Sequence, residues 1–319
     1  MGVTLQINVA PPDAPHAVHI LPHQLRAWAD QVDEVVFTLD TVRPTAGRFA
    51  DSWDERAPAM QALLAGLVDT YPHARIGAVD PSPTAIQAVA ERFFGLDRIP
   101  MKDSRGGPLY SYLYGLHDAT NDLVLHTDSD MLFGGGSQSW VSESRTLLAG
   151  DEDVLVVNPL PGPPREDGQL FEQPDASSIP GEPHTYRFTQ MSTRIFLLDR
   201  ARLRTRVGAM ALPPPLLIRS RLKARLKGNP LVAMPEQFMT MAMRRHGLVR
   251  IDRLGSAPGI WSLHPLYRSA AFYDALPEII RRVETGDIPE EQRGHYDVVD
   301  ALFDFSEQRA KNQRSLLAR

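Results

Sequence analysis

Short apolar runs alternate with amphipathic stretches along the first 130 residues. Val3 to Val9 reads as a buried strand, closed by the Pro11-Pro12 pair. His16 to Gln31 has helical spacing at Ile20, Leu25 and Trp28, with Pro22 as an interruption. Val35 to Leu39 is a second strand that ends at Asp40. Glu55 to Tyr71 carries Met60, Leu63, Leu64 and Leu67 on one helical face, and Arg75 to Val79 is a third strand, ending at Asp80. Thr84 to Phe94 is a helix opened by Pro83, and Gly106 to Asp118 is another, with Leu109, Leu113 and Leu116 as its stripe. Asp122 to Thr127 is then a short strand feeding Asp128-Ser129-Asp130. Strands separated by helices of this length predict βαβ units on a mostly parallel sheet. Ligands of open sheets bind beyond the carboxyl ends of the strands, which is where Asp40, Asp80, Asp128 and Asp130 fall.

Past residue 135 the pattern loosens. Val154 to Asn158 is a strand, 159–183 is a long loop rich in Pro, Gly and Asp, and Arg187 to Leu198 returns to strand-like alternation. Leu212 to Pro215 is a proline stop. Pro235 to Gly247 is a helix, Val249 to Ile251 a strand, and an amphipathic helix runs from Tyr296. No repeat and no linker divides the chain, so the expectation is one continuous α/β domain with two functional halves, 1–133 and 134–319, and a helical C-terminus.

Composition narrows the classes. With 43% hydrophobic and 23% charged residues, wholesale disorder, a fibrous repeat and a coiled coil are excluded. The absence of cysteine excludes a disulfide scaffold, a thiolate zinc site, an iron–sulfur cluster and a cysteine nucleophile. The start lacks a basic, apolar leader, and no run reaches the roughly 18–20 apolar residues of a membrane span, so a cytoplasmic protein is expected. A net charge of −5 gives no reason to expect nucleic acid. That sum hides a basic block: from Arg194 to Lys227 the only acid is Asp199, among ten Arg and Lys residues. Ile218, Leu222 and Leu226 recur every fourth residue with cations between them. The block reads as an amphipathic helix resting on an anionic membrane, as a surface for an anionic acceptor, or as a solvated face or flap.

The sharpest chemical signal is Asp128-Ser129-Asp130. Two carboxylates leaving a buried strand together suit a hard cation, Mg²⁺ or Mn²⁺, bridging to phosphates; the plainer reading is an acidic turn. Lys102 and Arg105 flank Gly106-Gly107 at a helix start, either a phosphate cradle or a solvated loop. Gly134-Gly135-Gly136 is not followed by a dinucleotide fingerprint and reads as a tight turn.

With these residues in place, the chain resembles the GT-A fold glycosyltransferases, especially the family-2-like group, most strongly over 3–133 and 234–265. The resemblance implies a Rossmann-like α/β/α sandwich. The first half then binds a nucleotide sugar, a UDP or GDP donor, and the second half binds the acceptor. It places Mn²⁺ or Mg²⁺ on Asp130, with Asp128 and with His264 of Trp261-Ser262-Leu263-His264-Pro265. It sets Asp40 on the base or ribose, Ala10 and Pro11 along the nucleotide, and Asp128 and Ser129 beside the donor. The 102–107 stretch, with Lys102 and Arg105, meets phosphate and ribose. Glu236, at the start of the 235–247 helix, takes the place of the catalytic base in inverting members, although Gln237 replaces a usual second acid; capping the helix or binding acceptor is its other reading. Trp261 either stacks on a sugar or sits in the core.

The opening Asn8-Val9-Ala10-Pro11-Pro12 departs from the group's usual proline–threonine–tyrosine–asparagine turn and marks a divergent branch. A haloacid-dehalogenase phosphatase is disfavoured by Leu132, and a sugar-phosphate nucleotidyltransferase by the absence of glycine from residues 8–15. The implied function is transfer of a sugar to a hydroxyl acceptor, lipid-linked or anionic, with inversion. A retaining transferase on the same metal site and a non-catalytic sugar-nucleotide binder stay open, as do peripheral membrane contact and a homodimer.

Overall fold

A computed structural model describes residues 2–43 and 52–317. Its first half is a parallel array in the order β3 (Ala74–Ala78), β2 (Glu34–Leu39), β1 (Val3–Val9), β4 (Leu123–Asp128). Asn8 stands level with Thr38 on one side and Asp128 on the other, so the three strands end together. The alternation in β1 explains its central place: Val3, Leu5, Ile7 and Val9 face one apolar layer. Its polar positions are buried too, and they are partnered. Gln6 donates to Thr38 Oγ1 at 2.8 Å and accepts at Oε1 from His126 at 2.5 Å. Gly115 lets α4 (Leu109–Asp118) lie this close to the strand, since a Cβ there would meet Gln6 Nε2 at 2.4 Å.

The sheet then continues without a break. β9 (Ile195–Asp199) inserts antiparallel between β4 and β6 (Val154–Pro161), and β10 (Val249–Arg253) runs parallel to β6. β8 (Thr185–Phe188) and the short β7 (Ser177–Ser178) close that edge. Most strands share one direction, with β9 and β8 opposed, as expected of a mostly parallel α/β sheet. β5 (Leu132–Gly134) and β11 (Trp261–Leu263) form an antiparallel pair beside the end of β6.

One face of the sheet packs α1 (Ala14–Trp28), α2 (Trp53–Thr70) and α5 (Trp140–Gly150). There Trp28 meets Phe133 and Trp140 edge-on at 5.1 and 5.5 Å. The other face packs α3 (Pro83–Phe94), α4 and α8 (Pro235–Arg245). α9 (Ala270–Thr285) builds a third cluster from Phe272, Leu276, Ile279, Ile280 and Val283. The chain also forms α6 (Arg200–Arg202), α7 (Ile218–Leu226) and α10 (Ser306–Leu317).

Several expectations change. The strand-like stretch 187–198 is two strands, because Thr189 to Arg194 turn out of the sheet; Asp175 accepts from Thr189 N at 2.8 Å and holds that turn. β6 extends into the expected long loop because β11 pairs with it at Leu160 and Pro161. The C-terminal helix begins only at Ser306. The chain from Tyr296 to Val298 instead runs beside His264, with His264 N donating to Tyr296 O and Val298 N to His264 O. Trp261 belongs to the core and its ring covers Gly134, so the sugar-stacking reading is replaced by a packing one.

Gly134→Ala would put a Cβ 2.0 Å from the Trp261 ring and push β11 off β5. A loss of about 1–3 kcal/mol in urea-induced unfolding is expected.

Candidate active site

The level ends of β1, β2 and β4 open into a cavity of ≈ 270 Å³. Asn8, Ala10, Asp40, Lys102, Asp128 and Ser129 line it, with Trp53, Ser111 and Tyr112 as further wall. Asp40 is fixed at the strand end: its carboxylate accepts from Val42 N at 2.9 Å and Ser111 Oγ at 3.1 Å, and burial raises its pKa above the ordinary value. Lys102 reaches the cavity from a tight loop in which Asp103 Oδ1 accepts from Arg105 N at 2.7 Å and Gly107 N at 2.9 Å. Gly106 supplies the φ of +82° that this turn requires. Pro11 is buried in a 3₁₀ turn, and neither it nor Arg105 is part of the lining. Asp80, also at a strand end, holds Ser82 N in a local turn away from the cavity.

Asp128 and Asp130 diverge. Asp128 faces this cavity, whereas Asp130, only 1% exposed, turns into a neighbouring one of ≈ 400 Å³ with His264, Arg268, Asp13 and Arg56. Arg268 Nε donates to Asp130 Oδ2 at 3.1 Å and its Nη2 donates to the same oxygen. Burial by itself would raise the Asp130 carboxyl. Arg268, helped by His264, His16 and Arg194, overrides that and holds it well below the usual carboxylate range. Burial likewise favours loss of the Arg268 proton, and Asp130 with Asp13 reverses this, so the guanidinium is held more firmly charged than usual.

Among the described residues no three or more His, Asp and Glu side chains gather at metal-ligand spacing. Two do converge on what a cation sharing its shell with phosphates needs. Asp130 Oδ1 is buried without a hydrogen-bond partner. His264 Nε2 lies 3.9 Å from Asp130 Oδ2, while its Nδ1 meets Asp297 Oδ1 at 2.8 Å. A carboxylate only accepts, so Nδ1 carries a proton, and in the neutral ring Nε2 is the nitrogen left with a lone pair, the arrangement common behind metal-ligating histidines. Asp130 and His264 therefore fit a divalent cation that takes its remaining ligands from a substrate and water.

Glu236 opens α8 after Pro235 and lies in a third cavity, of ≈ 230 Å³. Its side chain is exposed at the cavity, with the protein walls on either side of it. That partial withdrawal from water raises its carboxyl above the usual range against the pull of Arg194, Arg250 and Arg105. Behind it, Arg250 grips Asp252 through two bonds of 2.7 and 3.1 Å and covers the Phe188 ring at 3.9 Å. Burial still pushes the Asp252 carboxyl up to about 6, with Arg250 opposing. Asn158 Oδ1, on the same wall, is buried without a partner.

Arg194 lines all three cavities. Its main chain is locked to the acidic turn, Asp128 N donating to Arg194 O at 2.8 Å, while its guanidinium has no hydrogen bond or ion pair among the described residues. Sequence reading counted Arg194 only within the basic block and passed over Arg268, Asp13 and Asp297. The available signal was an arginine four residues after His264; Asp297 carried none, because its pairing spans 33 residues.

No protein-family model matches the chain. No curated protein matches it either. Solved structures similar to it include GalNAc-T7 with UDP, GalNAc and Mn²⁺: 11% identity, 98% of this chain, 54% of that one, TM-score 0.47. A mannosyltransferase, PcManGT from Pyrobaculum calidifontis, with GDP-Man and Mn²⁺, covers 80% of this chain and 57% of its own at 14% identity and TM-score 0.37. The galactosyltransferase LgtC with donor and acceptor sugar analogues covers 91% and 98% at 14% identity and TM-score 0.35. The chain thus spans little more than half of the first two, and likeness this distant carries no argument about chemistry; the residues above do.

Arg268→Ala leaves Asp130 buried and charged without its main partner. Because the Arg268 side chain is 32% exposed, the expected loss is below that of a fully buried pair, roughly 1–3 kcal/mol in chemical denaturation. Adding Asp130→Asn should restore part of it in a double-mutant cycle.

Proposed function

We propose that this chain is a GT-A type glycosyltransferase that moves a sugar from a nucleoside diphosphate donor to an acceptor hydroxyl with the help of a divalent metal. One observation carries the reading: a cavity at the strand ends, holding Asp40, Lys102 and Asp128, meets the Asp130–His264 pair and the Glu236 cavity at the unpaired Arg194.

On this reading Asp40 receives the donor's base or ribose, with Ala10, Ser129 and the turn around Pro11 along the nucleotide. Lys102, with Arg105 behind it on the same loop, faces the phosphates. Asp130 and His264 would hold Mn²⁺ or Mg²⁺, with Asp128 facing the same diphosphate from the nucleotide side; the cation would stabilise charge growing on the leaving diphosphate. Arg268, which also lines the nucleotide cavity, faces the phosphates, and Arg194 adds a positive charge between leaving group and acceptor. Glu236 takes the acceptor hydroxyl's proton as that oxygen attacks the anomeric carbon. A carboxyl raised above its usual range is a better base than an unperturbed glutamate. Single displacement inverts the anomeric centre.

The acceptor cavity is lined by Glu172, Asp175, Glu236 and Asp252 against Arg194 and Arg250, an acidic surplus. This favours a neutral, hydroxyl-rich acceptor head over an anionic one.

A screen of UDP- and GDP-sugars with Mn²⁺, scored by nucleoside diphosphate release, should find at least one donor turned over; none would refute the reading. Glu236→Gln should lower transfer about 10²–10⁴-fold while titration calorimetry still shows donor binding. Activity should fall as Glu236 is protonated, and because its pKa is raised, the acidic limb of kcat/KM should lie above pH 4.5. NMR of the new glycosidic bond should show inverted configuration.

A further inference from the structure

The basic block between Arg194 and Lys227 is two different things. Its first part is consumed by the fold. Arg200 and Arg202 donate to main-chain carbonyls of 116–121 and 148–154, Arg204 pairs with Asp122, and Arg206 pairs with Asp153. Its second part, on and beside α7, pairs with no acid among the described residues, and only Arg221 is tied down, its Nε donating to Pro215 O at 2.7 Å. Arg219, Arg221, Lys223, Arg225 and Lys227 have no ion pair among the described residues, and no acid occurs in the sequence between Asp199 and Glu236.

The same segment holds the main concentration of exposed apolar side chains. Leu216, Leu217, Ile218, Leu222 and Leu226 are 61, 51, 73, 55 and 89% exposed, half of the large exposed hydrophobic residues among those described. Their arrangement is not random. Ala224 is the one residue of α7 buried against the body. Successive helical residues turn about 100°, so Leu222 and Leu226, each two positions from Ala224, point directly away from the protein. Ile218 continues that stripe. Arg219 and Lys223 border it on one side, and Arg221 and Arg225 on the other. An outward apolar stripe between two rows of unpaired cations is the section of a helix lying in the plane of a bilayer interface.

From this we propose that α7, with the Leu216–Leu217 approach, docks the protein onto an anionic lipid surface. A second copy of the chain is the weaker occupant: a two-fold contact through this stripe would bring two sets of unpaired cations together with no acid between them. No helix among the described residues is long and apolar enough to cross a membrane, so the contact lies on the surface rather than through it. α7 is also tied to the nucleotide-side cavity. Asn229 Nδ2 donates to Ser104 O at 3.2 Å and Ser104 N to Val232 O at 2.9 Å, stitching the base of this excursion to the loop that carries Lys102. Docking would therefore hold that cavity at a fixed position beside the lipid headgroups.

The test is sedimentation with vesicles, which is independent of any transferase activity. The full chain should pellet with phosphatidylglycerol–phosphatidylcholine vesicles and not with phosphatidylcholine alone, and high salt should weaken it. Leu222→Ser/Leu226→Ser and, separately, Arg219→Gln/Lys223→Gln should each reduce partitioning by roughly tenfold. All four side chains face solvent, so circular dichroism and thermal unfolding should stay unchanged. No binding to anionic vesicles, equal binding to both kinds, or unchanged partitioning in both variants would overturn the proposal. So would a dimer in analytical ultracentrifugation that the leucine variant converts to monomer.

Discussion

A carboxylate removed almost completely from water must be matched by a cation, and that demand on Asp130 organises this molecule. Asp130 follows the central β4, while its partner Arg268 comes from the segment between β11 and α9 and also meets Asp13 at 3.4 Å, in the turn that leads from β1 into α1. One ion-pair cluster thus joins the strand-end turn, the first crossover and the C-terminal third of the chain. Its other oxygen is left buried and unpartnered. A well-paired buried charge that still has an open acceptor is a poor investment for stability alone, and it gives the site a place for a further positive ligand.

Much of the first half was legible because its determinants are local. The alternation in β1 and the acids that end β2 and β4 lie within a few residues of the elements they define, and parallel crossovers align those ends automatically. Thus Asp40 and Asp128, both at strand ends, line one cavity, and Lys102 joins them from a loop, while Asp80 and Asp130 lie outside it. The second half was less legible because its determinants are distant. β5 and β11 are three residues each and exist only by pairing across more than a hundred positions. α9 carried a helical stripe, Phe272, Leu276, Ile279, Ile280 and Val283, but Pro277 sits inside it and obscured the period. Arg268 and Asp297 acquire meaning only when the fold places them against Asp130 and His264.

Charge was the feature most easily misread. A run of arginines looks like one surface, yet Arg200 and Arg202 bind carbonyls at the ends of nearby helices and strands, while the cations of α7 pair with no acid among the described residues and only Arg221 reaches a carbonyl, that of Pro215. Linear density of charge says nothing about desolvation, and desolvation decides whether a guanidinium is structural or available.

Arg194 gives neighbouring cavities a common ion. On the transferase reading, a guanidinium drawn toward a diphosphate on one side weakens its hold on the carboxylates of the other. The negative diphosphate acts in the same direction, so the proton affinity of Glu236 rises when the nucleotide cavity fills. Coupling of this kind is reciprocal: protonation of Glu236 in turn strengthens binding of the diphosphate. The two substrates would then sense each other through a single side chain, with no movement of the backbone between them. The enzyme's base would be weakest when no donor is present to be attacked.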